Sequence, residues 1–299
     1  MKSSDRVRIE DLVRRVIVPP GKRISLSKHI SPGYTGKDLR KKEAQRLLAD
    51  GIAMLAKEQE KLYAQSEHAL LVIFQAMDAG GKDSTIKHVM SGLNPQGCQV
   101  HSFKAPSSQE LDHDYLWRCT KALPERGRIG IFNRSHYEEV LISRVHPEIL
   151  RRQRLPRELR GKGIWKRRFD EINAFEQHLS NNGTAVLKFY LHISKEEQRR
   201  RFLARIDRPE KNWKFEVGDA KERAHWDEYM HAYEDVFNHT STEWAPWHII
   251  PADKKWFARL AVGAIILHTL LGLKLAFPKV SEQHRKSLAD ARKLLETEG

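Results

Sequence analysis

Short apolar runs alternate with amphipathic segments along most of this chain. The predicted strands, rich in β-branched and aromatic residues, are Ala69–Phe74, Gln99–Phe103, Ile129–Phe132, Ala185–Leu191 and Trp247–Ile250. The predicted helices, in which apolar positions recur every three to four residues, are Asp83–Ser91, Gln109–Leu123, Tyr137–Val145, Ile164–Ser180, Lys195–Ile206 and Lys255–Phe277. This alternation indicates an α/β fold, a three-layer sandwich with a central, mostly parallel five-stranded sheet.

The two ends of the chain depart from this pattern. Residues 19–36 are rich in Pro, Gly and Ser and predict an extended arm, whereas helical spacing over 37–65 predicts a helix that packs against the sheet. The polar tail after Pro278 predicts either an exposed helix or a mobile segment. We therefore expect an N-terminal arm and helix (1–66), one large domain (67–277) and a C-terminal tail (278–299).

The segment Leu70–Ile86, LLVIFQAMDAGGKDSTI, joins a predicted strand to a predicted helix through a Gly-Gly-Lys turn. This order is typical of a phosphate-binding loop, in which backbone N–H groups and a helix N-terminus face an anion that a lysine also reaches. The expected phosphate-binding residues are Ala79, Gly80, Gly81, Lys82, Asp83 and Ser84. A glycine turn that merely connects the strand to the helix is the alternative interpretation.

The loop departs from the full G-x-x-x-x-G-K-[ST] pattern at two positions. Ala76 stands in place of the first glycine, and Asp83 stands in place of the hydroxyl residue that usually contacts magnesium. Asp78 lies inside the loop, so its carboxylate is expected near the phosphates and their metal. The sequence thus predicts a variant phosphate loop.

A second cluster of polar residues follows the predicted strand at 129–132, in the sequence IGIFNRSHY. The carboxyl ends of parallel strands face the ligand crevice, where phosphate-loop proteins usually place a metal-binding aspartate. This chain has Asn133 there, followed by Arg134 and Glu138. An ordinary helix-surface ion pair between Arg134 and Glu138 is the alternative.

A third segment, residues 199–219, is strongly basic and reads RRRFLARIDRPEKNWKFEVGD. Its Pro and Gly residues predict a lid at about 205–220, and a basic lid is suited to phosphoryl transfer. For Arg199, Arg200 and Arg201 individually, a solvated surface is the favoured interpretation. The basic stretch 151–168 either follows a long polyanion or stays solvated.

Charge and composition narrow the class of partner. The 299 residues include 53 Lys and Arg against 39 Asp and Glu, a net charge of +14 that favours polyanionic partners. Two cysteines support neither a disulfide framework nor a Cys-rich zinc site. The N-terminus does not have the pattern of a secretory signal, and the apolar run at 260–273 is short for a membrane span, so we expect a cytoplasmic protein without a membrane partner.

Taken in order, these motifs resemble the second family of polyphosphate kinases, from about Gly36 to Phe277. The matching segments are QAMDAGGKD, GLNP (92–95), DYLWR (114–118), FNRSHYE (132–138), RPEKNWKF (208–215) and STEWAPWHIIPADKKW (241–256). The resemblance implies a phosphate-loop kinase-like fold with a helical lid. It also implies phosphoryl transfer between inorganic polyphosphate and nucleotides.

The resemblance also implies roles for individual residues. Catalytic roles fall on Asp78, Lys82, Arg134, Glu138 and Arg205, nucleotide or phosphate contacts on Asn133, Arg208 and Lys214, and binding of Mg²⁺ or Mn²⁺ on Asp78 and Glu138. Many relatives have aspartate in place of Asn133 and asparagine in place of Glu138. The NRSHYE form resembles the branch that accepts nucleoside monophosphates and diphosphates, and the family implies a homodimer or homotetramer.

Two other functions are compatible with parts of the sequence. An ATP-dependent nucleoside monophosphate kinase would share the phosphate loop and the lid but would not need so long a basic track. A basic RNA-binding protein would explain the net charge, but the chain has no RNA-recognition signature, so no specific nucleic acid is expected. The choice of phosphoryl donor distinguishes the first alternative from the polyphosphate kinase.

Overall fold

The computed structural model describes residues 3–36 and 39–298. Lys37 and Asp38, where the sequence predicts the start of a helix, lie outside the described residues. The strands are β1 (Ala69–Gln75), β2 (Cys98–Ser102), β3 (Ile129–Asn133), β4 (Thr184–His192) and β5 (Trp247–Pro251). Each agrees with its predicted strand to within one residue at either end.

The sheet has the order β2-β3-β1-β4-β5, and all four strand pairings are parallel. The predicted sheet was mostly parallel, and the observed one is wholly parallel because every connection between consecutive strands crosses over through helices. All seven residues of β1 are buried, as expected for a central strand covered on both faces. The α/β prediction is confirmed.

The helices of the described residues are, in chain order, α1 (Ser3–Val16), α2 (Leu26–His29), α3 (Lys41–Gln65), α4 (Lys82–Val89), α5 (Ser108–Leu111), α6 (Trp117–Lys121), α7 (Ile142–Val145), α8 (Pro147–Arg152), α9 (Ile164–Asn181), α10 (Lys195–Ile206), α11 (Pro209–Asn212), α12 (Val217–Glu222), α13 (Trp226–Thr240), α14 (Lys255–Gly272) and α15 (Glu282–Thr297). Short 3₁₀ turns lie at Pro95–Gly97, His136–Val140, Arg157–Arg160 and Arg223–His225.

Helices cover both faces of the sheet. Along β4, the side chains of Lys188 and Tyr190 contact α9 and α13, so that Phe189 between them points to the other face, where α14 packs. Helices α3 and α4 pack on α14. The sheet therefore lies between two helical layers, and its carboxyl edge is left for the loops.

Three predicted helices differ from the observed ones. The segment 109–123 is divided into α5 and α6 because the Asp114 carboxylate accepts a hydrogen bond from the backbone N–H of Leu116 (2.9 Å) and sets a turn between them. The segment 137–145 begins as a 3₁₀ turn and becomes α-helical only after Leu141. Helix α14 ends at Gly272 rather than Phe277, and Lys274 then adopts a positive φ of 52°.

The ends of the chain follow the predictions in part. Residues 19–36 cross α13 as an arm, with the short helix α2 inside it, and the backbone N–H groups of Ile24 and Leu26 donate to Asn238 and Glu234 (both 2.7 Å). Helix α3 packs mainly on α14 rather than directly on the sheet. The tail forms α15, whose described residues are all exposed.

Helix α14 is long and apolar enough, by length and composition, to cross a membrane. Within the described structure most of it is buried, and it packs against α3, α4, α1 and the sheet. This packing is what a core helix of a folded domain shows, as the sequence predicted.

Candidate active site

The phosphate loop, residues 76–81, runs from the carboxyl end of β1 into the first turn of α4. Ala79 and Gly81 have positive φ angles of 58° and 101°. A Cβ atom on Gly80 would lie 2.5 Å from the Cβ of Ala76 and 2.7 Å from the carbonyl oxygen of Met77, so only glycine fits where the chain turns back on itself. The start of α4, with its unpaired N–H groups, is thereby placed at the open edge of the sheet, an arrangement that binds anions.

Four of the predicted catalytic residues, Asp78, Lys82, Arg134 and Glu138, come together beside this loop. Arg134 donates from Nη2 to Asp78 Oδ1 (3.0 Å), so its ion-pair partner is Asp78 rather than Glu138. Lys82 donates from Nζ to the carbonyl oxygen of Ala76 (3.2 Å). All four line or adjoin one cleft at the carboxyl edge of the sheet. This grouping favours a functional site over the two alternative interpretations, a glycine turn that only connects strand and helix, and a surface ion pair between Arg134 and Glu138.

The backbone of Arg134 is strained. Its φ is +64°, in the left-handed region, which costs an ordinary residue roughly 1–2 kcal/mol. Its backbone N–H donates to the carbonyl oxygen of Phe74 at 3.0 Å and so joins the ends of β3 and β1. Strain of this kind is found where a side chain must be held in a particular direction, as at functional sites.

The electrostatics of the cluster leave its charges only partly compensated. Burial raises the pKa of Glu138, and the positive charges of Arg134 and Lys82 offset that rise only in part. Burial likewise lowers the pKa of Lys82, and Arg134 lowers it further. A phosphate beside Lys82 and a cation beside Glu138 would each favour the charged form of its neighbour.

Three further predicted residues lie on the flanks of the loop. Asn133 donates from Nδ2 to Asp83 Oδ1 (2.7 Å), which connects the end of β3 to the start of α4. Ser84 accepts at its hydroxyl from Arg259 Nη2 (2.8 Å), so this hydroxyl is engaged by α14. The side chains of Asp83 and Ser84 therefore stabilise the start of α4 through these two contacts.

The lid consists of α11, α12 and the turns around them. Arg205 Nη1 donates to the carbonyl oxygen of Lys214 (3.1 Å) and lies 3.6 Å from Asp219 Oδ2, so its guanidinium is bound within the lid. Arg208 is exposed, and Lys214 is exposed with its ammonium 4.7 Å from the ring centre of Trp213. The structure thus does not bring these three predicted residues to the phosphate loop.

The face of the lid that lines the cleft is acidic, although the sequence there led us to expect a basic one. A cleft of about 280 Å³ lies between the phosphate loop and the lid. Its charged and phenolic lining residues are Asp78, Arg134, Glu138, Glu216, Asp219, Glu222, Tyr229 and Tyr233. Burial, and next the charge of Asp78, raise the pKa of Asp219. A cation entering this cleft would relieve the repulsion between its carboxylates.

The donor set is compatible with a magnesium ion held largely by its substrates. Three or more metal-ligating side chains do not gather at any one point in residues 3–36 and 39–298. Mg²⁺ commonly takes one or two carboxylates and completes its shell with water and substrate phosphates. Asp78 and Glu138, which line the same cleft, supply such a pair.

Arg201 was wrongly assigned to the solvated surface. It is 9% exposed, and its guanidinium donates to four backbone carbonyl groups and to Glu197. Arg199 and Arg200 are exposed, as predicted. The spacing of Glu197 and Arg201, four residues apart on a predicted helix, could not single out Arg201, because Glu196 and Arg200 have the same spacing.

Most of the basic stretch 151–168 is exposed, but its last residue is not. Arg168 donates from Nε to Glu139 Oε1 (3.0 Å) and from Nη1 to Glu171 Oε2 (2.8 Å). Gln153 also donates to Glu139 (2.6 Å). Arg168 therefore stabilises the turn that carries Glu138.

A buried ion pair supports the other side of the same turn. Lys188 donates from Nζ to Glu176 (2.6 Å), to the hydroxyl of Tyr137 (2.9 Å) and to the carbonyl oxygen of Thr240 (2.6 Å). Burial alone would raise the pKa of Glu176, but Lys188 and His136 more than offset this and hold it below its usual range. This network fixes the position of the motif FNRSHYE from beneath.

A wholly parallel sheet with a glycine-turn anion site, a strained arginine and a helical lid at its carboxyl edge defines a kinase-like phosphate-loop protein. The comparisons with known proteins identify the family: residues 38–276 match the model of polyphosphate kinase 2. Because the match covers most of the chain, this protein belongs to the polyphosphate kinase 2 family, a family of phosphotransferases. The family membership that the motifs indicated is confirmed.

Two relatives and one solved structure are similar over most of their length. An ADP-polyphosphate phosphotransferase of Rhodopseudomonas palustris is 52% identical, covering 93% of this chain and 96% of the relative. An AMP/ADP-polyphosphate phosphotransferase of Meiothermus ruber is 48% identical over 75% of this chain and 80% of the relative. The crystal structure of polyphosphate kinase 2 from Arthrobacter aurescens TC1 superimposes with a TM-score of 0.83 at 42% identity, covering 92% and 95% of the two chains.

Proposed function

We propose that this enzyme transfers phosphoryl groups between inorganic polyphosphate and adenine nucleotides, with ADP and AMP as acceptors and Mg²⁺ as the cofactor. The observation that carries the proposal is the grouping of Asp78, Lys82, Arg134 and Glu138 beside the phosphate loop. The names of the relatives support the substrate classes, since one is an ADP-polyphosphate phosphotransferase and another an AMP/ADP-polyphosphate phosphotransferase. A GDP-polyphosphate phosphotransferase is 37% identical to this chain over 201 residues, so guanine nucleotides are to be tested as well.

The chemistry needs positioning more than proton removal. The terminal phosphate of a nucleotide has a second pKa of about 6, so its attacking oxygen is already anionic at neutral pH. The main obstacle is the repulsion between two highly charged anions that must be held in line. Lys82, the start of α4 and Arg134 supply positive charge for this purpose, and Mg²⁺ would neutralise charge on the transferring phosphate.

Asp78 is then an orienting residue rather than a general base. Its carboxylate pairs with Arg134 at 3.0 Å and faces the cleft, where it would hold the metal and position the guanidinium. Asp78→Asn is expected to lower activity by about tenfold or more and to shift the Mg²⁺ optimum upward, because a neutral amide is a weaker Mg²⁺ ligand. An Asp78→Asn enzyme with normal Mg²⁺ dependence that had lost an acidic limb of the wild-type pH profile would instead indicate a base.

The metal is expected to bind weakly without substrates, since two carboxylates leave most of its shell to phosphates and water. Isothermal titration of the nucleotide-free protein with Mg²⁺ measures this directly. Tight binding in the absence of nucleotide would contradict the assignment of Asp78 and Glu138 as the two protein ligands.

The defining assay supplies long-chain polyphosphate and Mg²⁺ with AMP or ADP, omits ATP, and follows nucleotide products by chromatography. Product that disappears in Lys82→Ala supports the proposal, and product from ADP alone narrows the acceptor range. Product only when ATP is the donor would identify a nucleoside monophosphate kinase. Retention on RNA at moderate salt, without transfer, would indicate the RNA-binding alternative.

The setting of the enzyme forms part of the proposal. We propose a cytoplasmic homodimer or homotetramer without a membrane or a specific nucleic-acid partner, on the strength of the sequence features and the family resemblance. Light scattering of the purified protein measures its assembly state.

A further inference from the structure

Three consecutive carbonyl groups of the phosphate loop are bound by side chains of α10. Gln198 donates from Nε2 to the carbonyl oxygen of Asp78 (3.0 Å). Arg201 donates from Nη1 to the carbonyl oxygens of Ala79 and Gly80 (both 2.9 Å). Both side chains are almost fully buried, at 2% and 9% exposure. The loop therefore lies against α10 through its oxygen atoms.

This contact determines the direction of the loop's N–H groups. In a trans peptide the C=O and the following N–H point to opposite sides, and no cis bond occurs in the described chain. With the carbonyls of residues 78–80 held on α10, the N–H groups of Ala79 and Gly81 point away from it. The N–H of Gly80 is used inside the turn, in a 2.9 Å bond to Met77. A loop with the opposite orientation would place carbonyl oxygens against the phosphate and repel it.

Each of the two α10 side chains is itself held in place. Arg201 donates from Nε to Glu197 (2.7 Å) and from Nη2 to the carbonyl oxygen of Ala252 (2.6 Å), just beyond β5. Gln198 accepts at Oε1 from Arg223 Nη1 (2.9 Å). Arg223 directly follows α12, so a continuous chain of hydrogen bonds runs from the end of the lid to the phosphate loop.

From this geometry we infer that Gln198 and Arg201 are positioning residues, which hold the phosphate loop in the orientation that binds phosphate. The inference rests on the proposed function, because the phosphate groups that the loop would hold are those of the proposed substrates. Neither residue lines the cleft, and neither is expected to contact the transferring group.

The inference predicts a particular kinetic pattern. If the loop of a variant spends less time in the competent orientation, the apparent dissociation constant rises in proportion, while saturating substrate restores that orientation. Gln198→Met removes the neutral hydrogen bond to the loop and the one that Gln198 accepts from Arg223. It should raise the KM of the substrate bound by the loop about tenfold and leave kcat within about twofold. Arg201→Met should raise that KM about 100-fold, and Arg201→Lys should recover part of the loss.

A second measurement does not depend on catalysis. Hydrogen exchange of the peptide containing residues 76–83 should be at least about tenfold faster in Gln198→Met and Arg201→Met than in the wild type, because the loop opens more often. Arg200→Met is the matched control. Arg200 lies on the same helix and pairs with the same Glu197, but it is exposed and does not contact the loop.

The outcomes separate the two proposals. A wild-type enzyme without polyphosphate-dependent transfer would overturn the proposed function, and loop exchange would still test the role of α10. An active wild type with unchanged KM and unchanged loop exchange in Gln198→Met would overturn the inference. So would a fall in kcat at constant KM, which indicates a smaller folded fraction. Should Arg201→Met fail to fold, Gln198→Met decides alone.

Discussion

Lys188 is fully buried and Lys82 is partly buried, and the two lysines are bound very differently. Lys188 makes three hydrogen bonds of 2.6–2.9 Å, one of them to the carboxylate of Glu176. Lys82 has one backbone carbonyl at 3.2 Å and lies among the charges of Arg134, Asp78 and Glu138. The turn His136–Val140 connects the two regions, since Tyr137 contacts Lys188 while Glu138 lines the cleft.

The difference shows how one protein uses buried charge in two ways. A buried charge whose partners are complete holds its surroundings in one arrangement, and removing a partner leaves an unpaired ion at high cost. A charge whose partners are incomplete remains available to a ligand. The predictions below test this contrast.

The largest expected effect is on stability, at Lys188. Lys188→Met leaves the Glu176 carboxylate buried without its ammonium, and the free energy of unfolding should fall by roughly 3–5 kcal/mol. Chemical denaturation followed by circular dichroism measures the loss. The double variant Lys188→Met/Glu176→Gln should recover most of the lost stability. If the free energy of unfolding of Lys188→Met lay within about 1 kcal/mol of the wild-type value, the contrast between Lys188 and Lys82 would be wrong.

The second effect is on activity, at Lys82. Lys82→Met should reduce kcat/KM by about 100-fold or more, because a positive charge that the phosphates need is lost. Its free energy of unfolding should be unchanged or slightly higher, since burial lowers the pKa of this lysine and its charged form is disfavoured in the folded state. A marked loss of stability in Lys82→Met would mean that Lys82 is as structural as Lys188.

The third prediction concerns pH and Glu138. Because the pKa of Glu138 is raised, the carboxylate should become protonated, as pH falls, at a higher pH than an ordinary glutamate with a pKa of 4.5. At pH values between the ordinary pKa of the unfolded chain and the raised pKa of the folded protein, the folded state binds more protons than the unfolded state. The contribution of Glu138 to stability therefore decreases as pH rises. Activity that needs the carboxylate should show the opposite trend and rise with pH.

Glu138→Gln should remove that acidic limb of kcat/KM and also lower activity across the whole range. Glu210→Gln, at an exposed position of the lid, is the control and should keep the wild-type profile. An unchanged acidic limb in Glu138→Gln would mean that another group titrates there. Glu138 would then not be one of the charges whose partners are incomplete.

The smallest effect is expected at Lys214. This lysine is exposed in the lid, so Lys214→Gln should change the free energy of unfolding by less than about 0.5 kcal/mol. Its effect on kcat/KM should be about threefold and should diminish with added salt. A loss of 100-fold or more would show that the lid carries Lys214 onto the phosphates during turnover.

The sequence alone determined the strands, the phosphate loop and the order of the motifs. These features are encoded locally: alternation and apolar runs specify strands, and Gly80 fits a turn that no larger residue can enter. The four residues Asp78, Lys82, Arg134 and Glu138 could be grouped in advance because parallel strands place their carboxyl ends at one edge of the sheet. Local signals failed where a short turn such as that at Asp114 interrupted a helical pattern.

Only the tertiary structure decided which charges would be paired. Arg201 is separated by 122 residues from Ala79, whose carbonyl it binds, and Lys188 lies 51 residues from Tyr137. In the sequence, Arg199, Arg200 and Arg201 are equivalent, but the rotation of α10 buries only the last of them. The acidic face of the lid was likewise hidden, because Asp219 and Glu222 follow a basic run and become neighbours of Asp78 only in the folded chain. The physical reason is that the strength of a charge depends on its solvation and its partners, and both are set by contacts distant in the sequence.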